Sequence, residues 1–123
     1  MSKGLVFWRK DEDGANRHLR FVISDPDVDG TVLTVHMTSY HGNGREDTSC
    51  ILNPGDHECI RSKSYIRYDR AFEMEMIGLL IEKTNGSITM EPDLEGPVLK
   101  RIQEGARRSA ALQRKFRKYF DNF

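Results

Sequence analysis

The residues best suited to chemistry in this sequence are His18 and Arg20, two positions apart, and Thr38 at the end of a later apolar stretch. Strand side chains alternate between two faces, so His18 and Arg20 point to the same side of one strand. An imidazole exchanges protons near neutral pH, a guanidinium holds a phosphate through its planar fork, and a hydroxyl donates a hydrogen bond. Together these groups predict acid–base chemistry on a phosphate-containing substrate.

His57 and Lys63 lie on either side of a polar stretch that follows an Asn-Pro-Gly-Asp turn. They would supply a second proton carrier and another phosphate contact if this loop folds over the strands. Simpler interpretations stay open for the strand candidates. A strand histidine is more often a surface or hydrogen-bonded residue, Thr38 can cap a turn through its hydroxyl, and Arg20 can pair with a neighbouring acid.

Residues next to these candidates are predicted to bind the substrate. They are Arg17, Ser39, Tyr40, Lys63 and Tyr65. Basic side chains would contact phosphates, and tyrosine rings stack on unpaired bases, although strand tyrosines are also commonly half-buried sheet partners. Trp8, surrounded by apolar residues, is interpreted as a core residue.

The sequence contains no motif typical of a metal site or of a cofactor-binding site. Cys50, His57 and Cys59 lack the tightly paired four-ligand spacing of structural zinc sites. The glycine-rich loops that bind nucleotides and the Gly-x-Ser-x-Gly elbow of serine hydrolases do not occur. We therefore expect a protein that uses neither a metal nor a cofactor.

Short strands separated by turns must position the candidate residues. Strands are expected at 4–9, 18–24, 31–38, 50–52, 65–73, 76–83 and 87–91, and residues 58–61 are expected to pair back across the turn after 50–52. A Thr-Asn-Gly hairpin would join the last two strands, with a helix over 70–80 as the alternative. This number and spacing of strands predict a small closed or nearly closed barrel.

The C-terminal part has helical periodicity and a basic charge. Apolar residues recur at helical spacing between Leu99 and Phe123, which predicts one broken or two short helices. Gly105 disfavours a helix by about 1 kcal/mol relative to alanine, so a break or a close backbone contact is expected near it. The chain is thus divided into a barrel, residues 1–97, and a basic amphipathic segment, residues 98–123, packed on the barrel.

The length of 123 residues is typical of a single domain, and its 19 basic and 19 acidic residues give a formal net charge of zero. Residues 98–123 nevertheless carry eight Lys or Arg against Glu104 and Asp121, a net charge of +6. Such a segment can bind an anion, form the solvated side of a helix, or dock on a partner chain or a second copy. The sequence leaves these alternatives open.

No apolar run approaches the roughly 20 residues that a bilayer span needs, and residues 1–10 lack the apolar stretch of a signal peptide. Two cysteines are too few for a disulfide framework. We expect a soluble cytoplasmic protein without membrane contact.

Three motifs occur in a defined order: Gly-Leu-Val-Phe-Trp at 4–8, Phe-Val-Ile-Ser at 21–24 and Val-His-Met-Thr-Ser at 35–39. This order resembles the PemK/MazF-like toxin family over roughly residues 4–70. Residues 50–65 also resemble a poorly characterised branch of phage and bacterial proteins with the same barrel. The resemblance implies an SH3-like barrel with accompanying helices that cuts single-stranded RNA without a metal.

In that family an Arg-Pro pair and a later Thr or Ser serve the chemistry. The hydroxyl position falls on Thr38, with Ser39 beside it, and the arginine position falls on His18, flanked by Arg17 and without a following proline. The resemblance implies a metal-independent endoribonuclease with an antitoxin-like protein partner, in which His18 and Thr38 hold the catalytic positions. The residue chemistry above adds Arg20 and His57 to the predicted catalytic set, and the C-terminal apolar stripe leaves a homodimer open. The alternative is a catalytically silent barrel module that binds RNA or a protein segment.

Overall fold

The structure is a computed structural model that describes residues 2–10, 14 and 16–123. Within these residues the chain forms a seven-stranded antiparallel sheet, two α-helices and two 3₁₀ helices. The strands are β1 (Val6–Lys10), β2 (Arg17–Val22), β3 (Thr31–Ser39), β4 (Ile51–Leu52), β5 (Ser64–Ile66), β6 (Phe72–Glu75) and β7 (Ile88–Glu91). The helices are α1 (Met76–Asn85) and α2 (Gly96–Arg108), and the 3₁₀ helices are Tyr68–Arg70 and Arg114–Asn122. A strand-rich fold with a helical C-terminus agrees with the prediction.

The strand β3 is nine residues long, and its middle part, from Thr34 to His36, pairs with β2 on one side. On the other side β3 pairs with β6 over the first half and with β5 over the second half. The order β4-β5-β3-β2-β1-β7 makes an open sheet with β4 and β7 at its edges. One long strand therefore joins the β4–β5 pair to the rest of the sheet.

Alternate residues of each strand point to opposite sides of the sheet, and a cluster of buried residues lies on each side. Leu19, Phe21 and Ile23 alternate along one stretch of the chain, as do Leu33, Val35 and Met37, and all six pack in one cluster. Ile102 of α2 and Phe116 and Tyr119 of the C-terminal 3₁₀ helix close this cluster. On the opposite face Phe7, Val22 and Val32 pack with Leu79 of α1. Neither α1 nor α2 has the length and hydropathy that a membrane-spanning helix needs.

The segment predicted as a strand over 76–83 is the helix α1, so that prediction is wrong, and the alternative helix is right only from Met76 onward. The apolar run Met-Ile-Gly-Leu-Leu-Ile has no period of two, and length alone separates a helix from a strand in such runs. Gly86 ends the helix with a φ of 82°, and its N–H donates to the carbonyl groups of Glu82 and Lys83. The Thr-Asn-Gly signal therefore marks a helix end and not a hairpin.

Residues 58–61 do not form the predicted strand, because β4 pairs with β5 through Ile51 and Tyr65 instead. The close backbone contact expected near Gly105 is confirmed. A Cβ at Gly105 would overlap the Tyr68 hydroxyl and lie 2.9 Å from Cβ of Cys50. The Tyr68 hydroxyl donates to the carbonyl of Ile102 at 2.6 Å, so α2 lies directly against the core without a break.

Candidate functional site

The strands β2 and β3 separate at one end of the sheet. Their pairing stops at Arg20 and His36. Beyond this point β2 continues along β1 as far as Arg17, whereas β3 continues along β5 with Met37 opposite Ile66. Adjacent strands that take different partners leave a gap between them, and here the gap is an open cavity of about 350 Å³.

Four of the residues predicted to form the site line this cavity: His18 and Arg17 from β2, and Thr38 and Ser39 from β3. The remaining lining residues are Trp8, Leu19, Met37, Cys59, Arg61, Ser62 and Ser64. The structure therefore brings His18 and Thr38 together with Arg17 and Ser39, two of the predicted substrate-binding residues, but Arg20, the guanidinium of the predicted catalytic set, is not among the lining residues. Trp8 packs partly against the core, as expected, and also lines the cavity.

The cavity is suited to an anion. Arg17 and Arg61 line it together with His18, and none of its described lining residues is a carboxylate. The Arg17 guanidinium lies 5.3 Å from the centre of the Trp8 ring, in the range of a cation–π contact. Burial and the neighbouring Glu91 raise the pKa of the Cys59 thiol, so a reactive thiolate is not favoured there.

Arg20 does not line the cavity and lies buried behind it. Its guanidinium donates to Oγ1 of Thr34 at 3.3 Å and to Nδ1 of His36 at 3.1 Å, and it lies 3.9 Å above the centre of the Phe72 ring. Arg20 and His36 are each 6% exposed. The predicted phosphate-binding arginine is therefore part of a buried polar network, because its fork already holds neighbouring side chains.

His36 connects this network to the cavity. A guanidinium only donates, so Nδ1 of His36 accepts and the ring carries its proton on Nε2. The ring of His18 lies over that of His36, with the centres 4.3 Å apart. Sequence reasoning missed His36, although alternation along β3 places it on the same face as Thr34 and Thr38 and would have revealed it.

His57 lies elsewhere, and its ring holds two backbone groups. Nδ1 accepts from the Cys59 N–H at 3.0 Å, which leaves the proton on Nε2 to donate to the Pro92 carbonyl at 2.6 Å. The residue is 8% exposed. The structure gives His57 the role of joining the 53–59 turn to the chain after β7, and both of its nitrogens are occupied.

Lys63, Tyr40 and Tyr65 are not among the described residues that line the cavity, although each is adjacent in the chain to Ser39 or Ser64, which do line it. Tyr65 lines a separate cavity with Glu46 and Arg67. The Tyr40 N–H donates to the Lys63 carbonyl at 2.9 Å, which extends the pairing of β3 with β5. The Lys63 ammonium lies 4.6 Å from the centre of the Tyr40 ring, and the ring of Tyr40 meets that of Tyr65 edge-on. Tyr65 is 9% exposed, which matches the alternative of a sheet partner.

Comparison with known proteins finds no family model and no curated protein that matches the chain. The resemblance to PemK/MazF-like toxins therefore stays a prediction. Among the residues that the structure describes, no three His, Cys, Asp or Glu side chains are grouped so that they could hold a metal ion.

Proposed function

We propose that this protein is a metal-independent endoribonuclease that acts on single-stranded RNA. The observation that carries the proposal is that His18 and Thr38 line one cavity together with Arg17 and Arg61, and that none of its described lining residues is a carboxylate. A base, a hydroxyl donor and two cations around one hollow are the groups that phosphodiester cleavage by an internal nucleophile needs.

In the proposed reaction His18 takes the proton of a 2′-hydroxyl, and the freed oxygen bonds to the adjacent phosphorus. The bond from phosphorus to the 5′-oxygen breaks, its electron pair goes to that oxygen, and water in the open cavity supplies the proton. The hydroxide that remains takes the proton from His18, which restores the neutral base. The products are a 2′,3′-cyclic phosphate and a 5′-hydroxyl. Arg17 and Arg61 offset the negative charge on the phosphate, and Thr38 donates to one of its oxygens.

The proposal selects RNA in an unpaired form. The nucleophile is the 2′-hydroxyl, which DNA lacks. Trp8 lines the cavity and supplies an aromatic face on which an unpaired base stacks. Tyr40 follows the lining residue Ser39 and is the candidate for a second base. Duplex RNA keeps its bases stacked on one another and would not offer them to these rings.

We also propose an SH3-like barrel as the fold, since the resemblance that implies the endoribonuclease activity implies this fold too. A long strand that passes from one group of strands to another, as β3 does, is typical of small barrels, and this supports an SH3-like barrel of the PemK/MazF kind. A protein partner of the antitoxin type would inhibit by covering the cavity. Since the RNA substrate is cytoplasmic, the proposal assigns the protein to the cytoplasm.

The test is incubation of the purified protein with a long unstructured RNA in a chelator. We expect the parent to cut the RNA to products that end in a cyclic phosphate, and to leave DNA of the same sequence intact. His18→Ala should lower the rate by about 10²–10⁴-fold and Thr38→Ala by about 10–100-fold. His41→Ala, in the exposed loop, is the matched control. Cleavage by His18→Ala at the parental rate would overturn the proposal.

A catalytically silent RNA-binding module is the second candidate. One observation favours it: His18 is the one imidazole among the described lining residues. His36 is buried and bonded to Arg20, and both nitrogens of His57 are bonded, so neither is placed to protonate the leaving oxygen. Binding of the same RNA without cleavage, weakened by loss of Arg17 or Arg61, would select this candidate.

A further inference from the structure

The C-terminal 3₁₀ helix displays four cations in two straight rows. These are Arg114, Lys115, Arg117 and Lys118, here named the basic ladder, and all four are exposed. In a 3₁₀ helix side chains three positions apart eclipse one another, with about 6 Å between successive members of a row. Arg114 therefore stands in line with Arg117, and Lys115 with Lys118.

Little of this positive charge is neutralised. Within the described residues, Lys118 is the ladder member that has a carboxylate partner, Glu73 at 3.4 Å. The lysine row ends at Asp121, whereas the arginine row ends at Phe120. The arginine row is therefore the more positive of the two.

The apolar row of the same helix is already occupied. Phe116 is 3% exposed and Tyr119 is 1% exposed, both in the core, and the Tyr119 hydroxyl donates to Glu73. A helix that binds a lipid surface needs a free apolar face to insert, and this helix has none to offer. The chemistry that remains is attraction of a polyanion to the two rows of cations.

We propose that the basic ladder is a second RNA-binding surface, which contacts backbone phosphates and does not read sequence. Phosphate contacts by Lys and Arg provide affinity and register without base specificity. That the polyanion is RNA rests on the proposed function. The charge and geometry of the ladder are observed independently of it.

The ladder lies well away from the cavity. Tyr119 contacts Glu73, which is opposite Leu33 near the start of β3, and the cavity lies at Thr38 near the end of that strand. The two places are about 17 Å apart along the strand. A long RNA can reach both, and contact at one raises the effective concentration at the other. A dinucleotide in the cavity cannot reach the ladder.

The test compares two double variants that lose the same charge. Arg114→Gln/Arg117→Gln removes the arginine row, and Arg70→Gln/Lys83→Gln removes exposed cations of other elements. Both are made in a His18→Ala background, so that the RNA stays intact, and binding of a long uridine oligomer is measured over a series of salt concentrations. For the ladder variant we expect the slope of log K against log salt to fall by about 1.4 and the affinity to fall about tenfold.

The slope of the control variant should stay near that of the parent, and both should melt at the parental temperature. Equal slopes for all proteins, or an equal loss in the control, would overturn the inference. The inference would also be overturned if the ladder variant bound RNA as the parent does but no longer bound phosphatidylserine vesicles. In the active background, unchanged cleavage of a dinucleotide by the ladder variant supports the inference. Ladder-dependent binding by a parent that cuts no RNA supports it too, and ends the endoribonuclease proposal.

Discussion

Arg20 donates a hydrogen bond of 3.1 Å to Nδ1 of His36. The same guanidinium donates to Thr34 and lies over the ring of Phe72. A cation held from several sides in this way positions its neighbours, and the ring of His18, which lies over that of His36, is the part of the network that reaches the cavity. In the proposed reaction Arg20 acts through these two imidazoles and does not itself contact the RNA.

Replacing Arg20 with methionine should lower the free energy of unfolding by about 2–4 kcal/mol, because it leaves the buried Nδ1 of His36 without its donor and removes the contact with Phe72. Denaturant titration measures the change. The matched control is Arg17→Met, which alters an exposed arginine of the same strand and should change stability by no more than about 1 kcal/mol through its contact with the Trp8 ring. Equal stability of the two variants would contradict a positioning role for Arg20.

Gly105→Ala should destabilise the protein although alanine favours helices. The added methyl group would overlap the Tyr68 hydroxyl and approach Cys50, and overpacking of this kind costs about 1–3 kcal/mol. Gly78→Ala is the control, because a Cβ at Gly78 in α1 has nothing within 4 Å and should stabilise the helix by up to about 1 kcal/mol. Thermal melting of the two variants should shift in opposite directions, and a shift in the same direction would contradict the close packing of α2.

The strands of this fold were predictable where one face is apolar and the other polar. Alternation in β2 and β3 places Leu19 and Leu33 on one face and Val22 on the other, and the two core clusters divide these residues in the same way. The segment that became α1 has no such contrast. Its apolar run fits a helix or a strand equally well. The packing of Leu79 in α1 against the cluster that contains Val32 is a tertiary contact, which the local sequence pattern does not indicate.

The site was predictable to the extent that it is local. His18 and Thr38 could be selected because each is a polar residue near one end of a strand, His18 at the start of β2 and Thr38 near the end of β3. The point where β2 leaves β3 depends on which strands pair later in the chain. The bond of His57 to Pro92 spans 35 residues, and nothing near His57 in the sequence indicates it. Such partners follow from the assembled fold. The sequence predicts a chemical role for His57, whereas in the structure both of its ring nitrogens are hydrogen-bonded to backbone groups.

His57→Ala should therefore reduce stability and leave the RNA-cleaving step unchanged. The substitution leaves the Pro92 carbonyl and the Cys59 N–H without their partner, which should cost about 1–3 kcal/mol. Denaturation and cleavage are measured on the same preparation at a temperature where the variant is folded. A fall in the cleavage rate of the size expected for His18→Ala would show that His57 takes part in the chemistry.

Asp56 predicts a pH dependence of stability. Partial burial opposes its ionisation, but hydrogen bonds from Arg101 at 3.0 Å and from the Asn53 N–H at 2.8 Å outweigh burial, so the pKa of Asp56 lies below its usual value. A carboxylate of this kind stabilises the fold above its unfolded pKa of about 3.9, and the contribution disappears as the pH falls through the folded pKa.

Asp56→Asn should consequently be less stable than the parent at neutral pH, and the difference should shrink as the pH falls below about 4. Melting temperatures over a pH series provide the measurement. Asp93→Asn, at an exposed position, is the control and should follow the parent throughout. A difference between the parent and Asp56→Asn that stays constant into acid would show that the ionised carboxylate is not what stabilises the turn.

Trp8 allows occupation of the cavity to be measured without any cleavage. It is the single tryptophan of the chain, it lines the cavity, and the Arg17 guanidinium lies beside its ring. A short 2′-O-methyl uridine oligomer has no nucleophile and stays intact. Its addition should change the tryptophan emission to saturation, because a base that stacks on the indole alters its surroundings.

Arg17→Met should weaken this titration about tenfold through loss of a phosphate contact, while Arg45→Met, in the exposed loop, should leave it at the parental value. The emission reports the cavity alone, so it separates occupation of this site from binding anywhere else on the molecule. Binding of the oligomer seen by another method, with emission that never changes, would mean that the RNA lies away from the cavity and that His18 faces no substrate.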